Sequence, residues 1–192
     1  LFIADEVESG FYRTGDEMWA FRYADVVPDI VTLGKPIGDG HPIGAVITTP
    51  AIAAKFAAKF SYFNTFGGNP VSAAVGMAVL DVLEREGVQQ NVIAAGKVLE
   101  SGLARLAAKH PLVADVRGKG LFWGLEIVRD HATRAPAVEE ADRIMNLLRE
   151  DGILVARTGA FNNVVKIRPP LVFTPDHARM LLDGLDRALA RV

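Results

Sequence analysis

The chain has no cysteine among its 192 residues, so no disulfide frame holds it and no thiolate acts as nucleophile or metal ligand. It has no surplus charge of either sign: 21 basic side chains face 23 acidic ones, a formal net charge of −2. A nucleic-acid footprint or a polybasic membrane patch needs an excess of lysine and arginine, so neither partner is expected. No apolar run reaches the roughly 18 residues that span a bilayer, and no leader-peptide pattern is expected at the start. There is no internal repeat and no low-complexity tract. His41, His110, His131 and His177 are scattered, without metal-ligand spacing, and no metal is expected. Half the residues are apolar, enough for a sizeable core in one domain or one and a half. A reducing, cytoplasmic setting is the expectation. The opening LFIAD has no methionine and reads as the middle of a buried strand, so the chain is expected to be a piece of a longer protein.

What is there divides by character. LFIADEV (1–7), DIVTLGK (29–35) and GAVITT (44–49) read as apolar strands, the first with a polar carboxyl tip. SGFYRTGDE (9–17) is a glycine-punctuated loop, and MWAFRYADV (18–26) reads as a short helix. PAIAAKFAAKF (50–60) has helical spacing with Pro50 near its start. In FNTFGGNP (63–70), Asn69 is the expected N-cap and Pro70 the first helical residue of a long helix to about Glu86, which Gly87 stops. Beyond it the spacing predicts a helix over 88–109, two strands in 113–128, a helix over 138–151, strands at 153–157 and 164–173, and a last helix capped by Thr174. Residues 1–70 thus read as part of a parallel α/β sheet domain, 88–192 as a compact α+β domain, and the helix at 71–87 as the link between them.

Two polar groups stand at the carboxyl tips of neighbouring strands: Asp5 and Lys35. Open α/β sheets bind ligands outside that edge. A partly desolvated lysine there can act as a nucleophile toward carbonyls. Pyridoxal phosphate needs such a lysine, and an acid beside its ring nitrogen, because the protonated ring is the electron sink. Pro36 favours an extended backbone at Lys35, and Gly38 and Gly40 let the loop approach a ligand. The alternative for the two charges is a salt-bridged pair or two unrelated surface groups.

IADEVESGFYRTG, PDIVTLGKPIGDGHPIGAV and FNTFGGNPVSAAVGMAVLDVL resemble the class III aminotransferases, pyridoxal-phosphate enzymes of fold type I. The resemblance continues through VRGKGLFWGLEIV and KIRPPLVF, and covers about the C-terminal half of a family chain. It implies an α/β fold: residues 1–70 as the C-terminal part of a mainly parallel-sheet, cofactor-binding large domain, and 88–192 as a small α+β C-terminal domain. It implies that Lys35 forms a Schiff base with the cofactor and shuttles a proton at the substrate carbon, and that Asp5 pairs with the pyridinium nitrogen. Val7 would lie on one ring face. Thr65 would reach the cofactor phosphate of the partner subunit, in a homodimer with shared active sites. For Val7 the local alternative is core packing; for Thr65 it is a loop hydroxyl that satisfies nearby backbone.

Four positions depart from the family. Glu8 stands where the family has glutamine, close to the ring hydroxyl, and Tyr12 where it has glycine. Glu8 either points away or alters the acid–base balance of the site. Lys166 stands where many members carry an arginine that clamps a substrate carboxylate, and Arg168 has a small or apolar counterpart. Strand alternation puts Lys166 and Arg168 on one face, as substrate-binding cations or as a solvated strand pair. GDGHP and KIRPP together resemble a subgroup that holds alanine–glyoxylate-type aminotransferases and phospho-lyases acting on phosphorylated amino-alcohols. The expected function is transamination between a small-molecule amine and a keto acid. The alternatives are a phospho-lyase on the same scaffold and a non-catalytic dimerisation module. Trp19 and Trp123 read as packing residues.

Overall fold

Three short apolar runs form the first sheet of the computed structural model, which describes residues 1–192. They are β1 (Ile3–Asp5), β2 (Ile30–Leu33) and β3 (Ala45–Thr48), in the order β1-β2-β3. β1 and β2 run parallel, with Ile3, Ala4 and Asp5 opposite Ile30, Val31 and Thr32. Ala4, Val31 and Leu33 are buried. Within this part of the expected mainly parallel sheet, the third strand, β3, runs antiparallel to β2. The link over 34–44 holds only a 3₁₀ turn, Lys35–Ile37, and a loop. A parallel return needs a longer crossover, usually a helix.

The expected helix at 18–26 contracts to a 3₁₀ turn, Ala20–Ala24, whose N-cap Trp19 supplies no side-chain acceptor. Glu6 supplies one instead. It is 2% exposed, and its carboxylate accepts from the Ser9 hydroxyl (2.7 Å) and from the N–H groups of Ala20 (3.1 Å) and Phe21 (2.9 Å). A buried carboxylate thus satisfies the open amides of a turn far along the chain and ties the loop to the tip of β1. The Trp19 ring meets buried Phe11 edge-on at 5.1 Å. Two helices follow β3: α1 (Pro50–Ala57) and α2 (Pro70–Arg85). Each has a proline in its first turn and a side-chain cap, Thr49 accepting from Ile52 N–H and Asn69 from Ser72 N–H.

The chain divides into two compact units, Leu1–Val88 and Gln89–Val192. The second contains nearly all of α3 (Val88–Lys109), then β4 (Val113–Lys119), β5 (Phe122–Asp130), β6 (Ala135–Pro136), α4 (Val138–Glu150), β7 (Ala156–Thr158), β8 (Val164–Ile167) and α5 (Pro175–Leu189). Its strands pair antiparallel in the order β4-β5-β8-β7, with β6 beside β5. Trp123, Leu125 and Ile127 alternate into the core from β5; Val92, Ala95, Leu99, Leu103 and Leu106 form the buried stripe of α3. α4 lies on the sheet and against α5. The strand expected over 164–173 ends at Ile167, because Pro169 and Pro170 have no N–H for the ladder. The strand expected at 153–157 forms only at Ala156–Thr158. Thr174 caps α5 in a capping box closed by His177.

Two stability predictions follow from close contacts. A Cβ at Gly118, where φ is 155°, would collide with the Phe122 carbonyl oxygen and come 2.7 Å from the Trp123 Cα. Gly118→Ala is expected to cost about 1–3 kcal/mol in chemical denaturation, and an unchanged midpoint would contradict the contact. Glu6→Gln keeps the shape but replaces one acceptor oxygen by an NH2 donor, so either Phe21 N–H or the Ser9 hydroxyl and Ala20 N–H lose their acceptor. It should destabilise the protein by about 1–3 kcal/mol, and full retention of Tm would show that the loop does not depend on the carboxylate.

Candidate active site

The parallel pairing of β1 and β2 sends both carboxyl ends to the same edge of the sheet, where Asp5 lies opposite Thr32. Oδ1 of Asp5 accepts from the Val7 N–H (3.1 Å) and the Thr32 hydroxyl (3.3 Å). These two bonds fix the carboxylate plane, and Oδ2 takes no hydrogen bond from the chain. Val7 follows at the same tip. One of its methyl groups would lie 3.3 Å from a Cβ placed on Gly34, a tight contact that packs Val7 closely against the residue before Lys35.

Lys35 lies two residues beyond β2 and opens the 3₁₀ turn Lys35–Ile37. Its backbone is left-handed, φ 38°, which corrects the extended conformation expected from Pro36. The turn is closed by Ile37 N–H to the Gly34 carbonyl (3.2 Å) and Gly38 N–H to the Lys35 carbonyl (3.3 Å), and these bonds outweigh the local preference. A left-handed non-glycine residue costs on the order of 1–2 kcal/mol, and such conformations concentrate at functional sites. The ammonium group does not stand alone: Nζ is 2.7 Å from Glu8 Oε1. The Lys35 side chain is 56% exposed in this chain, so these residues do not desolvate it. Asp5, Val7, Glu8 and Lys35 are thus gathered at one edge.

Thr65 stands on the loop before α2, exposed, its hydroxyl free of hydrogen bonds within the chain. The backbone-satisfying role open to it falls instead to Asn64, whose Oδ1 accepts from Phe66 N–H (3.2 Å) and Gly67 N–H (3.0 Å). Asn69 donates to the Phe66 carbonyl (2.8 Å) while capping α2. Two asparagines therefore hold the loop and leave Thr65 available.

In the second unit, Lys166 projects from β8 on the face opposite buried Val165 and Ile167. Arg168 follows just past the end of the ladder. Both line one cavity of about 560 Å³ whose other walls include Leu154, Phe173, His177 and Met180. A cationic end and an apolar wall suit a small acidic molecule.

Sequence reasoning missed Glu6 and the pairing of Glu8 with Lys35. In both, the partners are far apart along the chain: Glu6 and Phe21 meet when the loop after β1 folds back, and Glu8 and Lys35 when β1 and β2 pair. The Asn64 turn had a local signal, an asparagine three residues before a Gly-Gly pair.

The comparisons with known proteins agree with one another. Residues 1–189 match the family described as Aminotransferase class-III. The chain is 48% identical over its whole length to an alanine–glyoxylate aminotransferase 2 homolog, mitochondrial, of Arabidopsis thaliana, and spans 40% of that protein. A solved phospholyase from Arthrobacter, in complex with phosphoethanolamine, superimposes with a TM-score of 0.93 at 44% identity, covering 99% of this chain and 45% of that one. An amine transaminase from an uncultivated Pseudomonas species, in its PLP-bound form, gives a TM-score of 0.88 at 36% identity, covering 98% of this chain and 44% of the other. The chain spans about two fifths of the length of the curated relatives it matches. With its α/β architecture shared by these neighbours and its family match running almost end to end, the chain belongs to the class III aminotransferase family.

Proposed function

We propose that the protein of which this chain is part is a pyridoxal-phosphate-dependent aminotransferase that passes an amino group from a small-molecule amine to a keto acid. The observation that carries this reading is the edge of the first sheet, where an oriented carboxylate and a strained lysine turn lie at the ends of two parallel strands. Residues 1–70 would belong to the cofactor-binding large domain and 88–192 to the small domain, with 71–87 between them.

The residues present fit the cofactor. The unbonded Oδ2 of Asp5 would hold the proton on the ring nitrogen, while Val7 N–H and the Thr32 hydroxyl keep the carboxylate in plane. Val7 would cover one face of the ring. The free Thr65 hydroxyl would donate to the phosphate. Bound there, pyridoxal phosphate supplies the electron-withdrawing ring that stabilises negative charge at the substrate carbon. Lys35 would remove and return the proton at that carbon. Glu8 holds the Lys35 amine at the sheet edge, beside the position the cofactor would take. Lys166 and Arg168 would bind the substrate's acidic group.

Thr65 is surrounded in sequence by exposed Phe60, Tyr62, Phe63 and Phe66, the last two 86% and 80% exposed. Such a run on a loop supports burial against a second copy, and so a homodimer in which Thr65 serves the partner's site. No helix of the chain is long and apolar enough to cross a membrane.

A phospho-lyase is the second reading, and one observation favours it: two cations line one cavity. A single arginine matches a planar carboxylate; a lysine with an arginine serves a tetrahedral dianion at least as well. The Arthrobacter neighbour was solved with phosphoethanolamine. The deciding experiment gives the full-length protein a panel of amines and follows keto product and free phosphate together. Product formed only when a keto acid is present supports the aminotransferase; phosphate released without one selects the lyase.

Asp5→Asn should lower kcat at least tenfold with little loss of cofactor, because a neighbouring carboxylate is worth about 1–3 pKa units to a cationic partner. Full activity would remove Asp5 from its role. Lys166→Ala or Arg168→Ala should raise KM about ten- to a hundredfold for substrates with the matching acidic group. Unchanged kinetics with carboxylate-bearing and phosphorylated amines alike would make both residues solvated strand cations.

A further inference from the structure

His41, which had no assigned role, lies in the loop that leaves Lys35. Its backbone N–H donates to the Gly38 carbonyl (2.9 Å), and the Gly38 N–H donates to the Lys35 carbonyl (3.3 Å), so the imidazole is carried by the lysine turn itself. The ring is half-buried, and Nε2 lies 2.8 Å from the Ser72 hydroxyl in the first turn of α2. The Ser72 oxygen accepts from Asn69 Nδ2 (2.9 Å). That same amide donates its other hydrogen to the Phe66 carbonyl (2.8 Å), and its Oδ1 accepts the Ser72 N–H (2.9 Å). Asn69 is therefore fixed in one orientation by three partners. With Ser72 already accepting, its own hydrogen completes the chain at His41 Nε2 when the imidazole carries its proton on Nδ1. The chain of bonds runs His41, Ser72, Asn69, Phe66, and ends beside Thr65.

We propose that His41 is a positioning residue: through Ser72 and Asn69 it fixes the Thr65 loop, which binds a phosphate group, in register with the Lys35 turn. This rests on the reading of Thr65 as a ligand of the cofactor phosphate. The physical argument is one of freedom. The loop 61–68 is exposed along its length and makes its own bonds only through Asn64 and Asn69. A hydroxyl on a loop that samples many positions loses conformational entropy on binding, whereas one held beforehand does not. His41 is a hydrogen-bonded link from that loop to the part of the sheet edge that carries the lysine, beside the close approach of α2 to Ile37 and Ile43 at Gly76, and a lysine turn and a phosphate anchor acting on one cofactor must keep a fixed spacing.

The test measures binding to the full-length apoprotein of two probes, pyridoxal phosphate and pyridoxal, which lacks the phosphate. Thr65→Ala, His41→Leu, Ser72→Ala and His41→Gln are compared with wild type, with Tm recorded for each. His41→Leu is expected to weaken pyridoxal phosphate about five- to tenfold and to leave pyridoxal unchanged. His41→Gln, whose amide can again bond Ser72, should recover most of the loss. Ser72→Ala keeps the backbone N–H that Asn69 caps, and should reproduce the His41→Leu defect even if that variant does not fold. Equal loss of both probes with a fall in Tm would show a purely structural role and overturn the proposal. Wild-type affinity in His41→Leu or Ser72→Ala, with Thr65→Ala still selectively weakened, would overturn it while leaving the reading of Thr65 intact. No phosphate-selective loss in Thr65→Ala would remove that reading and the proposal with it.

Discussion

The parallel pairing of β1 with β2 is the constraint on which the first unit depends. Its register sets Asp5 against Thr32, and so gives the carboxylate one of its two orienting donors. Because the strands are parallel, the residues that follow each of them leave from the same edge. Val7 and Glu8 therefore meet Gly34 and Lys35 although 27 residues separate Glu8 from Lys35. A slip of one residue would turn Asp5 to the other face of the sheet and dissolve the arrangement. Buried Ala4, Val31 and Leu33 hold the register, and Glu6 fixes the loop that leaves the tip of β1.

Around this edge the backbone is forced into conformations that side chains usually avoid. Lys35 is left-handed, and so are Phe11 and Tyr12 in the loop that Glu6 anchors. Phe11 is compensated by burial against Trp19. Tyr12 is held by its N–H bond to the Met18 carbonyl (3.3 Å), in a conformation that glycine adopts more readily. Glu8 pairs with the lysine, Oε1 2.7 Å from Nζ. Strain and an ion pair meet at one place, which is where a preorganised site keeps its groups.

Much of this was legible in the sequence. The apolar runs of β1 and β2, the Asn69-Pro70 start of α2 and the Thr174 cap of α5 are local signals, and local signals read well. The alternation that sets Lys166 apart from Val165 and Ile167 is equally local. What the sequence did not show is non-local or turn-dependent. The direction of β3 follows from the length of its link to β2. The left-handed turn at Lys35 runs against the preference that Pro36 imposes on its neighbour. Glu6 and Glu8 find partners 14 to 27 residues away, which no spacing rule predicts. That the Thr65 hydroxyl is left free depends on Asn64 taking up the turn's amides, which its motif alone does not show.

In the reading proposed above, Lys35 is the lysine that bonds the cofactor. Borohydride reduction of the cofactor-loaded, full-length protein, followed by peptide mass mapping, tests it without reference to any substrate. One modified peptide is expected, carrying the label on Lys35. A label on Lys55, Lys59 or Lys119 in its place would contradict it.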